Sequence, residues 1–484
     1  MQVRHQIPSG RNFVPRRPHS SDRIGSGTPK VSAPWRGETL VENVQPRSTQ
    51  AITVRTGALL RSAPRRLILL GLLPPYPSRQ LAKILITDGD QRSSLAAVRS
   101  LGRAGHEVLV CSARKRSLAG DSRHARRTIQ VPDVVRDVDA FESAVHAIAT
   151  EASCDLVLPM TDLSMVALLG RDHHTEPEGR RRSYEFPLPC RSAYDRASDK
   201  AGLMDLAHAE GVPVPAQVVL RYRDVDAAAE FADTAGWPIV VKPSRSVVRC
   251  GPELVRTSVR IAADRSAVAS ALDAIPDEAF PVLIQHRIQG PGLGVFLLSI
   301  DGDVAAWFAH RRLREKPPTG GVSVYRESVP VRAELAEHCR KLVRRLDWTG
   351  VAMVEFKEDS VTGTPFLMEI NARFWGSLQL AIDAGVDFPR LLADAILDGV
   401  APSVETYRTG VRSRWFWGDV DHLLWMLRAS AGYRSTYPQL SSRMAALGRF
   451  LVPWLPGDRW EVMRLSDFQP FVRETLTWFA DLRG

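Results

Sequence analysis

The sequence predicts an α/β protein in which a parallel, doubly wound sheet precedes a larger and mostly antiparallel assembly. Three observations predict it. From residue 83 an apolar strand, a helix-length segment and a second apolar strand follow one another at βαβ spacing. Between residues 280 and 313, apolar runs are divided by Gly-rich turns, the pattern of consecutive antiparallel strands. Segments 350–359 and 365–374 then read as a hairpin closed at Thr362-Gly363. The second strand of that hairpin places Glu369, Asn371 and Arg373 at alternate positions, where a buried strand would carry apolar side chains.

Bulk properties bound the function. With 484 residues, 44% of them hydrophobic, the chain is long enough for roughly two to four packed domains. No apolar run reaches the length of a membrane-spanning helix. The apolar stretch Leu67–Leu73 is short and lies too deep for an ordinary secretory signal. Five dispersed cysteines without a CxxC pair argue against a disulfide framework and a zinc site, and fit a cytoplasmic protein.

The net charge of +10 suggests nucleic acid only until it is located. Residues 1–80 hold 13 Lys/Arg against 3 Asp/Glu and 10 of the 33 prolines, while the remaining 51 bases and 51 acids cancel. This leader is expected to be disordered. It reads either as a basic tail for anionic polymer or lipid headgroups, or as an extension without a role. No methionine occurs between Met1 and Met160, which is compatible with a non-Met start near Leu81.

Taken in order, Lys83–Thr87 reads as a buried parallel strand and Asp88-Gly89-Asp90 as the turn leaving it. A helix over Ser93–Arg103, a strand in "EVLVCSA" and a third strand in "CDLVLPMTD" complete the first sheet. Such a sheet binds ligands beyond its strand C-termini, where Asp88, Asp90, Thr161 and Asp162 would lie. No GxGxxG follows a strand, so a dinucleotide is not indicated. A helix up to Glu210, the extended "VPVPAQVVL", a helix near 224–235 and the strand "PIVVKP" come next. Past Val400 the composition shifts to six of the eleven tryptophans in 84 residues, and the segment reads as helical, most clearly at "DVDHLLWMLR".

The chemistry concentrates in the hairpin. With the turn near 362, Glu355 falls directly opposite Glu369, and Asn371 shares the face of Glu369. Two carboxylates facing each other among apolar residues repel and shift upward in pKa unless a cation joins them. Glu355, Glu369 and Asn371 form an oxygen donor set suited to Mg²⁺ shared with phosphate oxygens. The alternative is an ion pair with Lys357 or an arginine. Lys242 ends an apolar strand, where it either meets an anion or snorkels to solvent. The loop behind it, Ser244–Pro252, carries Arg245 and Arg249. Lys200 opens a helix, where the dipole disfavours a cation; it reads as a phosphate ligand or as a solvated surface group.

These residues, over roughly 190–395, resemble the ATP-grasp superfamily, and the ordered chain resembles its carboxylate–amine ligase type. The resemblance implies an α+β ATP-grasp fold: a Rossmann-like domain over 81–190, a two-lobed ATP-grasp domain over 191–400 and a helical extension over 401–484. Lys200 in "SDK" and Lys242 in "VVKP" match the nucleotide-phosphate lysines. "LIQHRIQG" matches the hinge strand, with Gln285, His286, Arg287 and Ile288 along adenine. Glu355, Glu369 and Asn371 match the metal-binding acid, acid and amide, and Arg373 matches the arginine facing the transferred phosphate. Arg314 and Lys316 are second candidates for the γ-phosphate, or else a solvated charge run. The sequence departs from the pattern at Gly292, where D-alanine–D-alanine ligase has a ribose-binding acid, and in the phosphate-covering loop, whose only glycine is Gly251.

By this resemblance the cofactors are ATP and Mg²⁺ (with Mn²⁺ as an alternative), and the partners are a small carboxylate and an amine, with no specific nucleic acid; a homodimer is allowed. ATP would activate the carboxylate as an acyl phosphate, which the amine then attacks. Two other classes remain in view: a non-catalytic nucleotide-binding module, and a binder of anionic polymer or membrane surface acting through the leader.

Overall fold

The computed structural model describes residues 81–169, 184–186, 189–318, 320–399, 403–430, 442–451 and 458–483. The expected basic leader, residues 1–80, lies outside them.

The first layer contains β1 (Lys83–Ile86), α1 (Arg92–Arg103), β2 (Glu107–Ser112), β3 (Arg127–Gln130), α2 (Val138–Glu151), β4 (Leu156–Leu158) and α3 (Asp162–Leu168). Its strands pair in parallel in the order β3-β2-β1-β4. Their fully buried centres, such as Ile84-Leu85-Ile86, reflect cover on both faces. β3 escaped the sequence reading because "RTIQ" is short, half-exposed and apolar at one position only. Strand order reverses between β1 and β4, so the two strand tips form the switch point at which ligands of such sheets gather. There the Asp88 carboxylate accepts hydrogen bonds from Thr161 (3.0 Å) and Ser164 (2.6 Å), which commits it to bracing the two strand ends.

The chain continues through α4 (Arg191–Ser198), α5 (Lys200–Ala209), β5 (Gln217–Leu220), α6 (Val225–Ala235), β6 (Ile239–Pro243), β7 (Val247–Cys250), β8 (Glu253–Arg256), β9 (Arg260–Ala262), α7 (Arg265–Asp273) and β10 (Val282–His286). A small antiparallel sheet, β5-β10-β6-β9, packs on α6 and α7 through Ile239, Val241, Val268, Leu272, Val282 and Ile284. Asp199 and Asp224 cap α5 and α6 by accepting from backbone N–H groups of their first turns. The segment read as a loop over 244–252 is instead the start of a hairpin, β7 against β8. Val247 and Leu254 anchor that hairpin in the core of the first sheet.

The third part contains β11 (Gly292–Ile300), β12 (Asp303–Lys316), β13 (Val322–Val329), α8 (Ala333–Leu346), β14 (Gly350–Glu358), β15 (Pro365–Asn371), α9 (Leu378–Ala384), α10 (Phe388–Leu397), β16 (Arg412–Arg414), α11 (Phe416–Arg428), α12 (Arg443–Leu451), β17 (Asp458–Trp460) and α13 (Gln469–Arg483). Seven strands form one sheet in the order β15-β14-β11-β12-β13-β16-β17. α8 presents Leu335, Cys339, Leu342, Val343 and Leu346 at helical spacing to one face of this sheet. The other face packs with α1, α9 and α10 around Phe296, Phe308 and Trp375. Segment 280–313 therefore divides between two sheets, with β10 ending the small one and β11 starting the large one. Past residue 400, the segment read as helical holds α11, α12 and α13 among the described residues, together with two short strands, β16 and β17, which lengthen the large sheet.

Candidate active site

The site begins with an irregularity in a strand. β14 and β15 pair Glu358 with Pro365 and Phe356 with Leu367, a register that would set Glu355 against Met368. A β-bulge intervenes, and Glu355 pairs with Glu369 instead. The extra residue reverses the alternation, so Leu367 and Ile370 both reach the same core while Glu369 and Asn371 turn to the opposite face. It also frees the Met368 carbonyl, which accepts a hydrogen bond from Lys242 Nζ at 2.8 Å.

Around Glu369 the two sheets approach each other. Lys242 leaves β6 with its residue only 6% exposed, and its Nζ lies 3.6 Å from Glu369 Oε2. Lys200 opens α5, is 5% exposed, and lies 3.7 Å from the same oxygen. Its position is fixed from below: the Lys200 backbone N–H donates to the Ser244 carbonyl at 2.9 Å, and Nζ donates to Ser246 at 2.8 Å. Asn371 donates to Glu369 at 3.2 Å and accepts from Arg373 at 3.0 Å. Arg373 donates in turn to Asp162 at 2.9 Å and to the Phe374 carbonyl at 3.0 Å. Behind Arg373 is a small, mostly apolar cavity lined by Leu158, Met165, Ala372 and Phe374.

Electrostatics follow from this crowding. Burial alone would raise the Glu369 carboxyl, but Lys242, Lys200, the Asn371 hydrogen bond and Arg373 overcome it and bring the group to about 2. Burial holds the Lys200 ammonium below its usual value, with Glu369 restoring part of the loss. Burial also works against the Arg373 guanidinium, yet Asp162 more than offsets it and holds the group above its usual value. Three cations here meet two carboxylates, an excess that suits a polyanion.

Glu355 is engaged from another direction. Arg312, on β12, reaches across β11 and places a guanidinium nitrogen 2.7 Å from Glu355 Oε2. Gly292 opens the way: a Cβ built on it would stand 3.3 Å from Arg312 Cδ and 3.4 Å from the guanidinium. Gly292, read in the sequence as a departure from the ATP-grasp pattern, is thus the gap that Arg312 crosses. The two facing acids have separate cationic partners: Arg312 serves Glu355, and Lys200 with Lys242 serve Glu369. Among the described residues no three His, Cys, Asp or Glu side chains converge. The donor set at the hairpin is two carboxylates and an amide, all oxygen, and remains of the kind that fits Mg²⁺.

The other sequence candidates fall outside this cluster. Gln285 donates to Gln217 at 2.7 Å between neighbouring strands of the small sheet, and the His286 ring pairs with the Ala235 carbonyl at 2.9 Å. The Ile288 carbonyl accepts from Lys357 at 3.0 Å, and Arg287 precedes it in the connection between the two sheets. Arg314 and Lys316 are drawn to α11, to Asp419 (3.0 Å) and Asp421 respectively. Arg245 and Arg249 are likewise committed, to Asp195 (3.2 Å) and Asp139 (2.9 Å). The group that sequence reasoning missed is Arg312, two residues before Arg314 on a strand whose register the sequence does not reveal.

Comparison with known proteins bears on this arrangement. The family model described as "ATP-grasp in the biosynthetic pathway with Ter operon" matches residues 278–418. The methylcrotonoyl-CoA carboxylase alpha subunit of Glycine max is 26% identical over 197 residues, 39% of this chain, and the match spans only 26% of that relative's length. The D-alanine–D-alanine ligase of Mycolicibacterium paratuberculosis is 26% identical over 388 residues, covering 72% of this chain and 93% of the ligase. Among solved structures, the biotin carboxylase–β,γ-ATP complex of Campylobacter jejuni matches with a TM-score of 0.54 and 18% identity, over 69% of this chain and 74% of that one. The biotin carboxylase domain dimer of Hydrogenobacter thermophilus 2-oxoglutarate carboxylase, solved with MgADP and bicarbonate, matches with a TM-score of 0.52 and 16% identity, over 69% and 74%. Residues 278–418, from just before β10 into α11, thus match an ATP-grasp family model, and the chain has the ATP-grasp fold.

Proposed function

We propose that the protein is an ATP- and Mg²⁺-dependent ligase that activates a small carboxylate as an acyl phosphate for attack by an amine. The observation that carries this reading is the convergence of Lys200, Lys242 and Arg373 on the strand bearing Glu369 and Asn371, with Glu355 facing it. Lys200 and Lys242 come from two different elements and enclose the space from the small-sheet side. Their contacts with Glu369, at 3.6–3.7 Å, are longer than hydrogen bonds, so phosphate oxygens can take their place. Gln285 and His286 end β10, and Arg287 and Ile288 lead from it to the large sheet; the base would lie along this segment.

Glu355, Glu369 and Asn371 are the residues that would hold Mg²⁺, which when bound neutralises charge on the phosphate oxygens. The chain's own task is positioning. The two lysines hold the phosphate tail, and Arg373 presents a planar fork to the phosphoryl group as it passes to the substrate carboxylate. With the lysines turned to phosphate, the Glu369 carboxylate would be left without its cations and would be available to hold Mg²⁺.

The test is phosphate release from Mg-ATP across a panel of amino acids and carboxylates, with and without amines. Stimulation by one carboxylate–amine pair, with ADP and a coupled product formed in equal amounts, supports the reading. Tight MgADP binding without turnover on any pair would favour a non-catalytic nucleotide module.

A further inference from the structure

The first sheet enters the site through one residue that the phosphate and metal set does not include. Asp162 is the first residue of α3, and its carboxylate lies 2.9 Å from Arg373 Nε. The two residues are 211 apart in sequence. Asp162 is not needed to cap its helix, because Thr161 does that through a capping box with Ser164. Thr161 and Ser164 are in turn fastened to Asp88 at the tip of β1, so α3 starts from a braced point of the sheet. The side chains of Asp162 and Arg373 remain 26% and 22% exposed. That exposure leaves the Arg373 guanidinium within reach of a ligand.

We infer that Asp162 is a positioning residue for phosphoryl transfer: it holds the Arg373 guanidinium in the orientation that meets the transferred phosphoryl group, and thereby makes the first α/β sheet part of the catalytic apparatus. Arg373 has three acceptors, which are Asp162 at Nε, the Phe374 carbonyl at Nη1 and the Asn371 amide oxygen at Nη2. Only Asp162 is charged, and only Asp162 is remote in sequence from Arg373, which lies just past the end of β15. If Asn371 turns its oxygen toward a cation, Asp162 and one carbonyl are left to fix the fork. Without Asp162 the guanidinium is free to swing toward Glu369 and compete with Lys200 and Lys242.

This inference rests on the reading of Arg373 given above, and its test separates the two. The probe is MgADP with aluminium fluoride, which mimics the phosphoryl group in transit and requires no knowledge of the substrate. Affinities for this complex and for MgADP alone are measured on wild type, Asp162→Ala, Asp162→Asn, Arg373→Ala and the Asp162→Ala/Arg373→Ala double variant. Asp162→Ala should weaken the analogue at least ten-fold while MgADP stays within two-fold. Asp162→Asn, isosteric and the safer variant for folding, should show an intermediate loss. In the Arg373→Ala background, removing Asp162 should cost nothing further, since a residue acting through Arg373 has nothing left to act on. Additive losses, or equal weakening of MgADP and the analogue, would overturn the inference by marking Asp162 as structural. An unchanged analogue affinity in Asp162→Ala, with a loss in Arg373→Ala, would overturn the inference alone. No loss in Arg373→Ala would remove the role of Arg373 itself.

Discussion

Two clusters in this molecule have the same ingredients and opposite characters. Glu369 sits among Lys200, Lys242 and Arg373; Asp467, just before α13, sits against Arg99 of α1. Asp467 is closed: its side chain and that of Arg99 are each 3% exposed, and it accepts from Arg99 (2.7 Å), Ser122 (2.7 Å) and the Arg123 backbone (2.9 Å). Arg99 spends its other nitrogens on the carbonyls of Glu461, Val462 and Asp467. Nearby, Glu461 is shared between Arg92 and fully buried Arg326. Glu369 is 25% exposed, and its lysines stand 3.6–3.7 Å away. Charge at Asp467 is fastened by short hydrogen bonds, whereas charge at Glu369 is balanced loosely and can be rebalanced by a ligand. The lesson is that a buried Arg–acid motif says little by itself; access and contact distance distinguish a brace from a site.

The predictions probe that contrast, beginning with the largest effect. Glu369→Gln should lower Mg-dependent ATP turnover by at least a thousand-fold, about 4 kcal/mol, measured as phosphate release. Because the Glu369 carboxylate is held near 2 by its lysines, the same change should also destabilise the ligand-free protein by about 2 kcal/mol, read in thermal unfolding. A variant that keeps full turnover would separate Glu369 from the chemistry.

Asp467→Ala should do the reverse. Leaving Arg99 buried and unpaired should cost about 3 kcal/mol of stability, with MgADP affinity of the folded protein unchanged in calorimetry. The interaction also has a pH signature. Burial would raise the Asp467 carboxyl, but Arg99, the Arg123 N–H and Ser122 outweigh it and hold the group below its usual value. Its contribution is therefore complete above the unfolded value of about 4 and is lost as pH falls through the lower folded value. Acid unfolding of wild type and Asp467→Ala should converge in that range; parallel curves would contradict the assignment.

Arg373→Lys tests the fork. Both lysines remain, so ATP binding should change little, while turnover should fall at least ten-fold, about 1.4 kcal/mol. Lysine keeps the charge without the planar pair of donors. Lost stability with unchanged turnover per folded molecule would move Arg373 into the same category as Arg99. The smallest expected effect belongs to the leader: removing residues 1–80 should leave phosphate release within two-fold, since the periodic, core-forming segments of the sequence lie beyond them.

By itself the sequence determined whatever depends on near neighbours. Alternation and turn residues marked β1, β2, β14 and β15, and the hairpin arithmetic set Glu355 opposite Glu369 because both strands share one turn. An apolar strand ending in a lysine marked Lys242 for the same reason: the conflict lies within five residues. Only the tertiary structure decided what depends on separate strands meeting. The hairpin register is reached through a bulge whose freed carbonyl binds Lys242, and no local pattern announces it. Arg312 reaches Glu355 because Gly292 leaves room over an intervening strand, and Arg314 and Lys316 go elsewhere because α11 supplies Asp419 and Asp421 from a hundred residues away. Asp162 and Arg373 meet across 211 residues for the same reason. A charge finds its partner through packing of whole layers, which sequence spacing does not encode.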